Sequence, residues 1–142
     1  MTEAGARYAK PLPLMQGLAQ EFYTWCKQHE LRFQRCAECH AWRHVPRAMC
    51  AECSSWQWEW TRSGGRGTVF TWTVATRAMH PAFQADVPYA AVVIEMAEGV
   101  RLLSQVVDCP SDELAIGMPV EVVFDEVTPE ITLPKFRRIR KS

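Results

Sequence analysis

Two matched pairs of cysteines constrain this chain more than any other feature of its sequence. Cys36 pairs with Cys39, Cys50 pairs with Cys53, and ten residues separate the two pairs. Each Cys-X-X-Cys turn holds two sulfurs close together, and a short hairpin between the turns can gather all four around one ion. Four thiolates in a closed tetrahedron form a structural zinc site with no open coordination position. The sequence therefore predicts a four-cysteine zinc ribbon.

Other interpretations of these cysteines explain less of the sequence. A single Cys-X-X-Cys turn can be a redox dithiol, but two turns at this separation are typical of a zinc ribbon. Cys36 to His40 also spells CxxCH, the attachment string of c-type haem. Haem attachment requires an export route, and residues 1–30 contain no apolar run of signal-peptide length. It would also leave the second cysteine pair without a role, so zinc is the better prediction.

The length and the remaining cysteines indicate a small protein of a reducing compartment. The 142 residues suffice for one compact unit, or for a small domain with a metal-stabilised extension. Cys26 and Cys109 follow no spacing pattern, so we expect two buried, unreactive thiols. No stretch approaches the length of a membrane span. Without a signal peptide or a disulfide framework, the expected localisation is cytoplasmic.

The charges are balanced overall but unevenly distributed. The sequence has 16 Lys and Arg against 16 Asp and Glu. Residues 68–135 contain three basic and ten acidic residues, whereas Arg137, Arg138, Arg140 and Lys141 form a basic tail. An acidic central region repels polyanions, which argues against a DNA-binding or RNA-binding domain.

A helical pattern precedes the ribbon. After a loose arm rich in proline, apolar residues recur at spacings of three and four from Leu14 to Glu30, and Leu18, Phe22 and Trp25 form the stripe. Such a stripe either packs on its own domain or docks on another protein. The sequence leaves both interpretations open.

The second half of the chain predicts an all-β domain. Ser63 to Gly67 reads as a hinge, and a short helix is expected from Pro110 to Ile116. In the first strand, alternation places Phe70, Trp72 and Val74 on one face. Five strands with a short helix between the third and fourth is the order of an OB-fold barrel. The predicted strands are Thr68 to Arg77, Tyr89 to Ala97, Val100 to Val107, Pro119 to Val127 and Ile131 to Phe136.

These elements define the predicted fold class and domain organisation. The fold is mainly β, with an N-terminal helix, a rubredoxin-like four-cysteine zinc ribbon and a five-stranded OB-fold barrel. The predicted boundaries are 1–30 for the arm and amphipathic helix, 31–62 for the ribbon, and 63–142 for the OB-fold with its basic tail.

The chemistry of the sequence favours binding over catalysis. A closed zinc site cannot activate water, and no GxSxG, HExxH or phosphate-loop string occurs. A free-standing enzyme or acyl-CoA carrier would have to use His80 or Cys109. Single-stranded nucleic-acid binding is the other alternative, because ribbons and OB-folds occur in such proteins. The second and third strands offer only Tyr89 and Arg101 for base stacking and phosphate contact, which is a weak footprint.

The order of these parts resembles a known family. From about residue 17 to residue 138, the chain is similar to the zinc-ribbon OB-fold proteins of acyl-CoA metabolism, formerly a domain-of-unknown-function family. His40 and Ser54 stand where that family commonly has the glycine that follows a zinc-binding turn, at a position that favours positive φ. The matching segments are LRFQRCAEC (31–39), VPRAMC (45–50), GRGTVFT (65–71), VPY (87–89), IGMPVEV (116–122) and LPKF (133–136).

This resemblance implies a non-catalytic accessory subunit of a thiolase-like acyl-CoA enzyme. The implied partners are a thiolase, an acyltransferase, a sterol side-chain aldolase of the lipid-transfer-protein type, or a MaoC-like hydratase, within a hetero-oligomer. The ribbon and the leading helix would help to dock the partner, and the barrel would lie near its acyl-CoA site. The chain alone is then not expected to be an enzyme.

Two sets of residues follow as candidate binding sites. If the barrel contacts acyl-CoA, the phosphates of that ligand require cations, and few are near the first three strands. The acyl-CoA candidates are Arg62, Arg66, Arg77 and Arg101, and the candidates for the partner interface are Leu18, Phe22, Trp25, Lys135, Phe136 and Arg137.

Overall fold

The computed structural model describes residues 8–139 and confirms the predicted fold class. One helix and a three-stranded sheet precede a five-stranded sheet that curls into a barrel. None of the helices in the described part of the chain is long and apolar enough to cross a membrane. The elements are α1 (Gly17–Lys27), β1 (Arg32–Cys36), β2 (Trp42–Arg43), β3 (Trp58–Arg62), β4 (Arg66–Ala75), β5 (Tyr89–Met96), β6 (Arg101–Ser104), β7 (Pro119–Glu126) and β8 (Thr132–Arg138).

Helix α1 is shorter than the apolar pattern predicts. It ends at Lys27 because His29 adopts a left-handed conformation with φ of 62°. The Glu30 N–H then donates to the Trp25 carbonyl at 3.1 Å, which satisfies an otherwise unpaired group at the helix end. The helix buries Phe22 and Cys26 against the rest of the molecule, so the apolar stripe packs mainly on its own domain.

The zinc-ribbon sheet has β1 at its centre and β2 and β3 at its edges. The side chains of Phe33 and Leu31 extend from this region into the same core as the barrel. One continuous apolar core therefore joins the helix, the ribbon and the barrel, and fixes how they are placed relative to one another.

The barrel follows the strand order β6-β5-β4-β7-β8, with every neighbouring pair antiparallel. It closes through one parallel bridge between Val106 and Phe136. This order and closure are those of an OB-fold. Phe136 is completely buried at the closure, together with Val120.

A β-bulge in β4 corrects the predicted alternation. The register between β4 and β5 shifts between Val69 and Thr71, so Phe70 is an extra residue. Val69 therefore lies in the core, and Trp72, opposite Val92, packs against that core. Phe70 lies on the outer face of the barrel, which the strict period of two had assigned to the same face as Trp72.

The turns that flank the strands also differ in detail from the predictions. The helix expected from Pro110 to Ile116 is a single 3-10 turn, Ser111–Glu113. In the segment before the barrel, Ser63 Oγ donates to the Glu98 carboxylate at 2.9 Å, so this predicted hinge is anchored to the β5–β6 turn.

Gly67 faces the main chain of β5 so closely that a Cβ there would lie 2.5 Å from the Glu95 carbonyl oxygen. Glycine is therefore required at position 67, where β4 approaches β5 this closely.

Candidate functional site

The four ribbon cysteines converge on one point. Their Sγ atoms all lie within 4.8 Å of one another. Cys36 and Cys53 are 3.6 Å apart at sulfur, and Cys39 and Cys50 are also 3.6 Å apart. Zinc–sulfur bonds of about 2.3 Å place tetrahedral ligands about 3.8 Å from one another, so the four thiols fit a structural zinc ion.

Main-chain N–H groups prepare two of these sulfurs to bind a cation. The amides of Cys39 and Glu38 donate to Cys36 Sγ at 3.5 and 3.4 Å, and these bonds lower the pKa of the Cys36 thiol to about 6. The amides of Cys53 and Glu52 lower the pKa of Cys50 in the same way. Because thiolates are the form that binds zinc, these amides favour metal binding at Cys36 and Cys50.

The residues that follow the two Cys-X-X-Cys turns adopt the positive φ that the family resemblance implied. His40 and Ser54 both have φ of 66°, the region in which glycine is most at ease. Their amides donate to the carbonyls of Cys36 and Cys50 at 3.1 and 2.9 Å. The departures from glycine therefore leave both turns formed.

A buried polar pair supports the ribbon behind the metal site. Arg43 is 5% exposed and donates through Nη2 to the Arg47 carbonyl at 2.7 Å. Gln34 Oε1 accepts from the Arg47 amide at 2.7 Å and from Arg43 Nε at 3.1 Å. The loop between β2 and Cys50 is thus held against β1, which sequence patterns did not predict because these are distant polar residues.

A groove of about 680 Å³ is the other notable feature. It lies where β6 and β8 separate below the barrel closure, with α1 and the loop at 44–46 as its other walls. Leu103 and Val45 are 68% and 69% exposed and give the groove an apolar lip. The remaining lining residues include Ala19, Phe22, Tyr23, His44, Pro46 and Pro134.

The predicted acyl-CoA arginines lie on different elements of the fold. Arg101 lines the groove, lies 3.7 Å over the Phe70 ring and pairs with Glu95 at 3.4 Å. Arg62 is an exposed residue at the end of β3, and Arg66 is exposed at the start of β4. Arg77 lies beyond β4 in an exposed bend.

The predicted interface residues divide into surface and core. Phe22 is 4% exposed and Phe136 is 0% exposed, so both side chains lie in the core of this chain, and their role at a partner interface stays a prediction. Trp25 is half-buried, with the Arg32 guanidinium 4.0 Å over its ring. Leu18 is also half-buried.

The two basic candidates on β8 are both in ion pairs. Lys135 lines the groove and pairs with Asp125 at 2.5 Å. Arg137 is exposed and pairs with Glu121 at 2.9 Å. Two further residues of the predicted basic tail, Arg140 and Lys141, lie outside the described residues.

Two family models match adjacent parts of the chain. Residues 26–59 match the ChsH2 rubredoxin-like zinc ribbon domain, and residues 60–125 match the ChsH2 C-terminal OB-fold domain. Together they cover more than half of the sequence. The predicted boundary between residues 62 and 63 remains a prediction.

Relatives and a solved structure extend the similarity to nearly the whole chain. A probable enoyl-CoA hydratase alpha subunit of Thermomonospora curvata is 37% identical over 136 residues, which is 96% of this chain and 42% of the relative. A DUF35 domain-containing scaffold protein of Methanocaldococcus jannaschii is 34% identical over 94 residues, 66% of each chain. This chain therefore spans less than half of the first relative.

The solved structure is described as an Ltp2-ChsH2(DUF35) aldolase. One of its chains is 36% identical and superposes with a TM-score of 0.79, covering 91% of this chain and 98% of that chain. The four-cysteine site, the barrel and these matches lead to one assignment: the chain belongs to the ChsH2-type DUF35 family of zinc-ribbon OB-fold proteins.

Proposed function

We propose that this chain is a non-catalytic accessory subunit of an acyl-CoA enzyme. The observation that carries the proposal is its similarity along almost its full length to a chain of the Ltp2-ChsH2(DUF35) aldolase. Its relatives are named as a hydratase alpha subunit and a scaffold protein, which fit the same role. The partner is a thiolase-like enzyme, and a MaoC-like hydratase is the alternative acyl-CoA enzyme.

The two residues that a free-standing enzyme would have to use, His80 and Cys109, are poorly placed for catalysis. Within residues 8–139, the four zinc-site cysteines are the sole cluster of three or more potential metal ligands. His80 Nδ1 accepts from the Ala82 amide at 3.0 Å, so this histidine caps a turn. Burial raises the pKa of the Cys109 thiol, which disfavours the reactive thiolate. These observations support a binding role over a free-standing enzyme.

The outer face of the barrel is also unsuited to nucleic acid. Arg101 is already paired with Glu95 on that face, and the exposed apolar residues Leu103 and Phe70 lie beside it. An oligonucleotide site needs unpaired cations along a groove together with stacking aromatics. An apolar lip next to balanced charges is better suited to a protein partner.

Direct contact with acyl-CoA is a finer part of the proposal. Among the described residues, Arg62 and Arg66 have no ion-pair partner, whereas Arg101 has one. Arg62 and Arg66 are therefore the better candidates for the ligand's phosphates. Titration calorimetry with acetyl-CoA and a long-chain acyl-CoA should show weaker binding for Arg62→Ala and Arg66→Ala than for the control, Arg101→Ala. Absence of heat with the wild-type chain would place the whole ligand site on the partner.

The proposal is tested by isolating the partner. The tagged chain is purified from its native cells, and mass spectrometry identifies the proteins that elute with it. We expect an acyl-CoA enzyme in stoichiometric amount, and no thioester turnover by this chain alone. A chain that turns over thioesters by itself, or that elutes alone while its zinc site is intact, would overturn the accessory role.

A further inference from the structure

Within residues 8–139, one main-chain edge of β6 has no strand partner along Arg101 to Leu103, and this edge faces the groove. The Met96 N–H donates to the Val100 carbonyl at 2.8 Å, which marks a hydrogen-bonded pair of the β5–β6 hairpin. Hydrogen-bonded and non-hydrogen-bonded pairs alternate along an antiparallel ladder. The main-chain groups of Leu102 therefore point toward β5, and those of Arg101 and Leu103 point away from it, toward the groove.

Proline explains why β8 does not cover this edge. The Phe136 N–H donates to the Gln105 carbonyl at 3.0 Å where the two strands run parallel. If the same pattern continued two residues toward the start of β8, position 134 would donate to the carbonyl of Leu103. Pro134 has no N–H, so this bond cannot form. The main-chain pairing with β8 stops there, and the groove opens beyond it.

The groove offers little to a charged ligand. The His44 ring contacts two aromatic rings, with centroid distances of 5.1 Å to Phe22 and 5.2 Å to Phe33. Burial lowers the pKa of His44 to about 4, so the imidazole is neutral near neutral pH. The two cations on the groove, Arg101 and Lys135, already pair with carboxylates. Phosphate groups would find no free cation among these lining residues.

We propose that the free edge of β6 binds an extended apolar segment of the partner enzyme, which adds to the sheet as a short strand and fills the groove. This inference rests on the proposed function. An unpaired edge supplies main-chain hydrogen bonds to an extended chain, and an adjacent apolar groove receives alternate side chains. Four residues of such a strand span about 13 Å, which matches the four residues of β6.

Substitutions at Leu103 separate strand addition from ordinary side-chain contact. Leu103→Pro removes the N–H that faces the groove and leaves the bonds to β5 intact, because proline is tolerated on an edge strand. Leu103→Ala trims the same side chain and keeps the N–H. We expect Leu103→Pro to weaken binding to the enzyme roughly tenfold more than Leu103→Ala does, since the enzyme loses a hydrogen-bond donor for a buried carbonyl. Equal losses for the two variants would overturn strand addition.

Hydrogen exchange of the wild-type chain gives a second measurement that needs no variant. Amide exchange is measured for the free chain and for its purified complex with the co-eluting acyl-CoA enzyme. In a separate experiment, short overlapping peptides of that enzyme are tested for binding to this chain. We expect the Leu103 amide to become protected in the complex, and one apolar peptide to compete with the enzyme. A complex in which this amide exchanges as in the free chain, or protection produced by acyl-CoA alone, would overturn the inference while the accessory role stands. If no complex forms, the proposed function itself fails.

Discussion

Ser104 donates a hydrogen bond from Oγ to the Pro134 carbonyl oxygen at 2.8 Å, at the point where β6 and β8 separate. This side-chain bond satisfies the Pro134 carbonyl, which would otherwise accept a main-chain hydrogen bond if the pairing of the two strands continued. The barrel is therefore closed on one side of Ser104 and open on the other. The open side is the groove that we propose as the partner site, so one serine and one proline mark where the pairing of β6 with β8 ends.

The first prediction concerns the metal. One zinc should bind per chain, and Cys39→Ser should lose it and disorder residues 31–60 first, because a ribbon of this size depends on its ion to fold. Cys109→Ser is the matched control, since Cys109 lies far from the cluster in sequence and is not part of it. Elemental analysis and hydrogen exchange of both variants make the comparison. A metal-free wild-type chain with a protected ribbon would contradict the prediction.

The second prediction concerns Phe136. Because its ring is completely buried at the barrel closure, Phe136→Ala should lower the free energy of unfolding by about 3–5 kcal/mol. Phe70→Ala removes the same ring from the outer face, where Phe70 is 39% exposed, and should cost about 1 kcal/mol or less. Urea unfolding of the two variants measures both values. Similar losses would mean that Phe136 is not a core residue.

The third prediction concerns pH. The pKa of His44 is about 4 in the folded chain and about 6.5 when unfolded, so the unfolded chain binds more protons between these values. Stability contributed by the neutral ring is present above the unfolded pKa and is lost as the pH falls toward 4. His44→Phe keeps a ring in contact with Phe22 and Phe33 without a titrating group.

Urea midpoints at about pH 7 and about pH 5 test this, with zinc content measured in parallel because acid also protonates the cysteines. The wild-type chain should lose more stability on acidification than the His44→Phe variant does. Parallel losses in the two proteins would show that folding does not lower the pKa of His44.

The fourth prediction concerns the close approach of β4 to β5 at Gly67. Gly67→Ala places a Cβ 2.5 Å from the Glu95 carbonyl oxygen, so it should lower the free energy of unfolding by about 1–3 kcal/mol. Gly64→Ala is the control, because a Cβ there meets nothing within 4 Å. Thermal unfolding should show a lower midpoint for the first variant and an unchanged or slightly higher one for the second. The reverse order would contradict the close approach.

The metal site could be predicted from sequence because its ligands are local. Two Cys-X-X-Cys turns fix their own sulfurs, and the unusual residues His40 and Ser54 adopt the expected positive φ. The five barrel strands were also recognisable, because each alternates or is bounded by turn residues. The structure of such segments is determined by interactions between residues that are close together in the sequence.

The groove could not be predicted because it depends on contacts between distant residues. A period of two cannot reveal the extra residue at Phe70, so the outer face of β4 was assigned incorrectly. The apolar stripe of α1 was compatible with an interface or a core, and only packing shows that Phe22 is buried. The proline in β8 was visible, but its consequence requires knowing that β6 is its neighbour.

The most direct test of the accessory-subunit account is a reconstitution with the acyl-CoA enzyme that co-purifies with this chain. Thioester turnover is measured for each protein alone and for the mixture, and light scattering gives the mass of the species that elutes. The account predicts a stable hetero-oligomer, no turnover by this chain, and turnover by the enzyme that rises when this chain is added. Turnover by the isolated chain, or an enzyme whose mass and activity are unchanged by its addition, would contradict it.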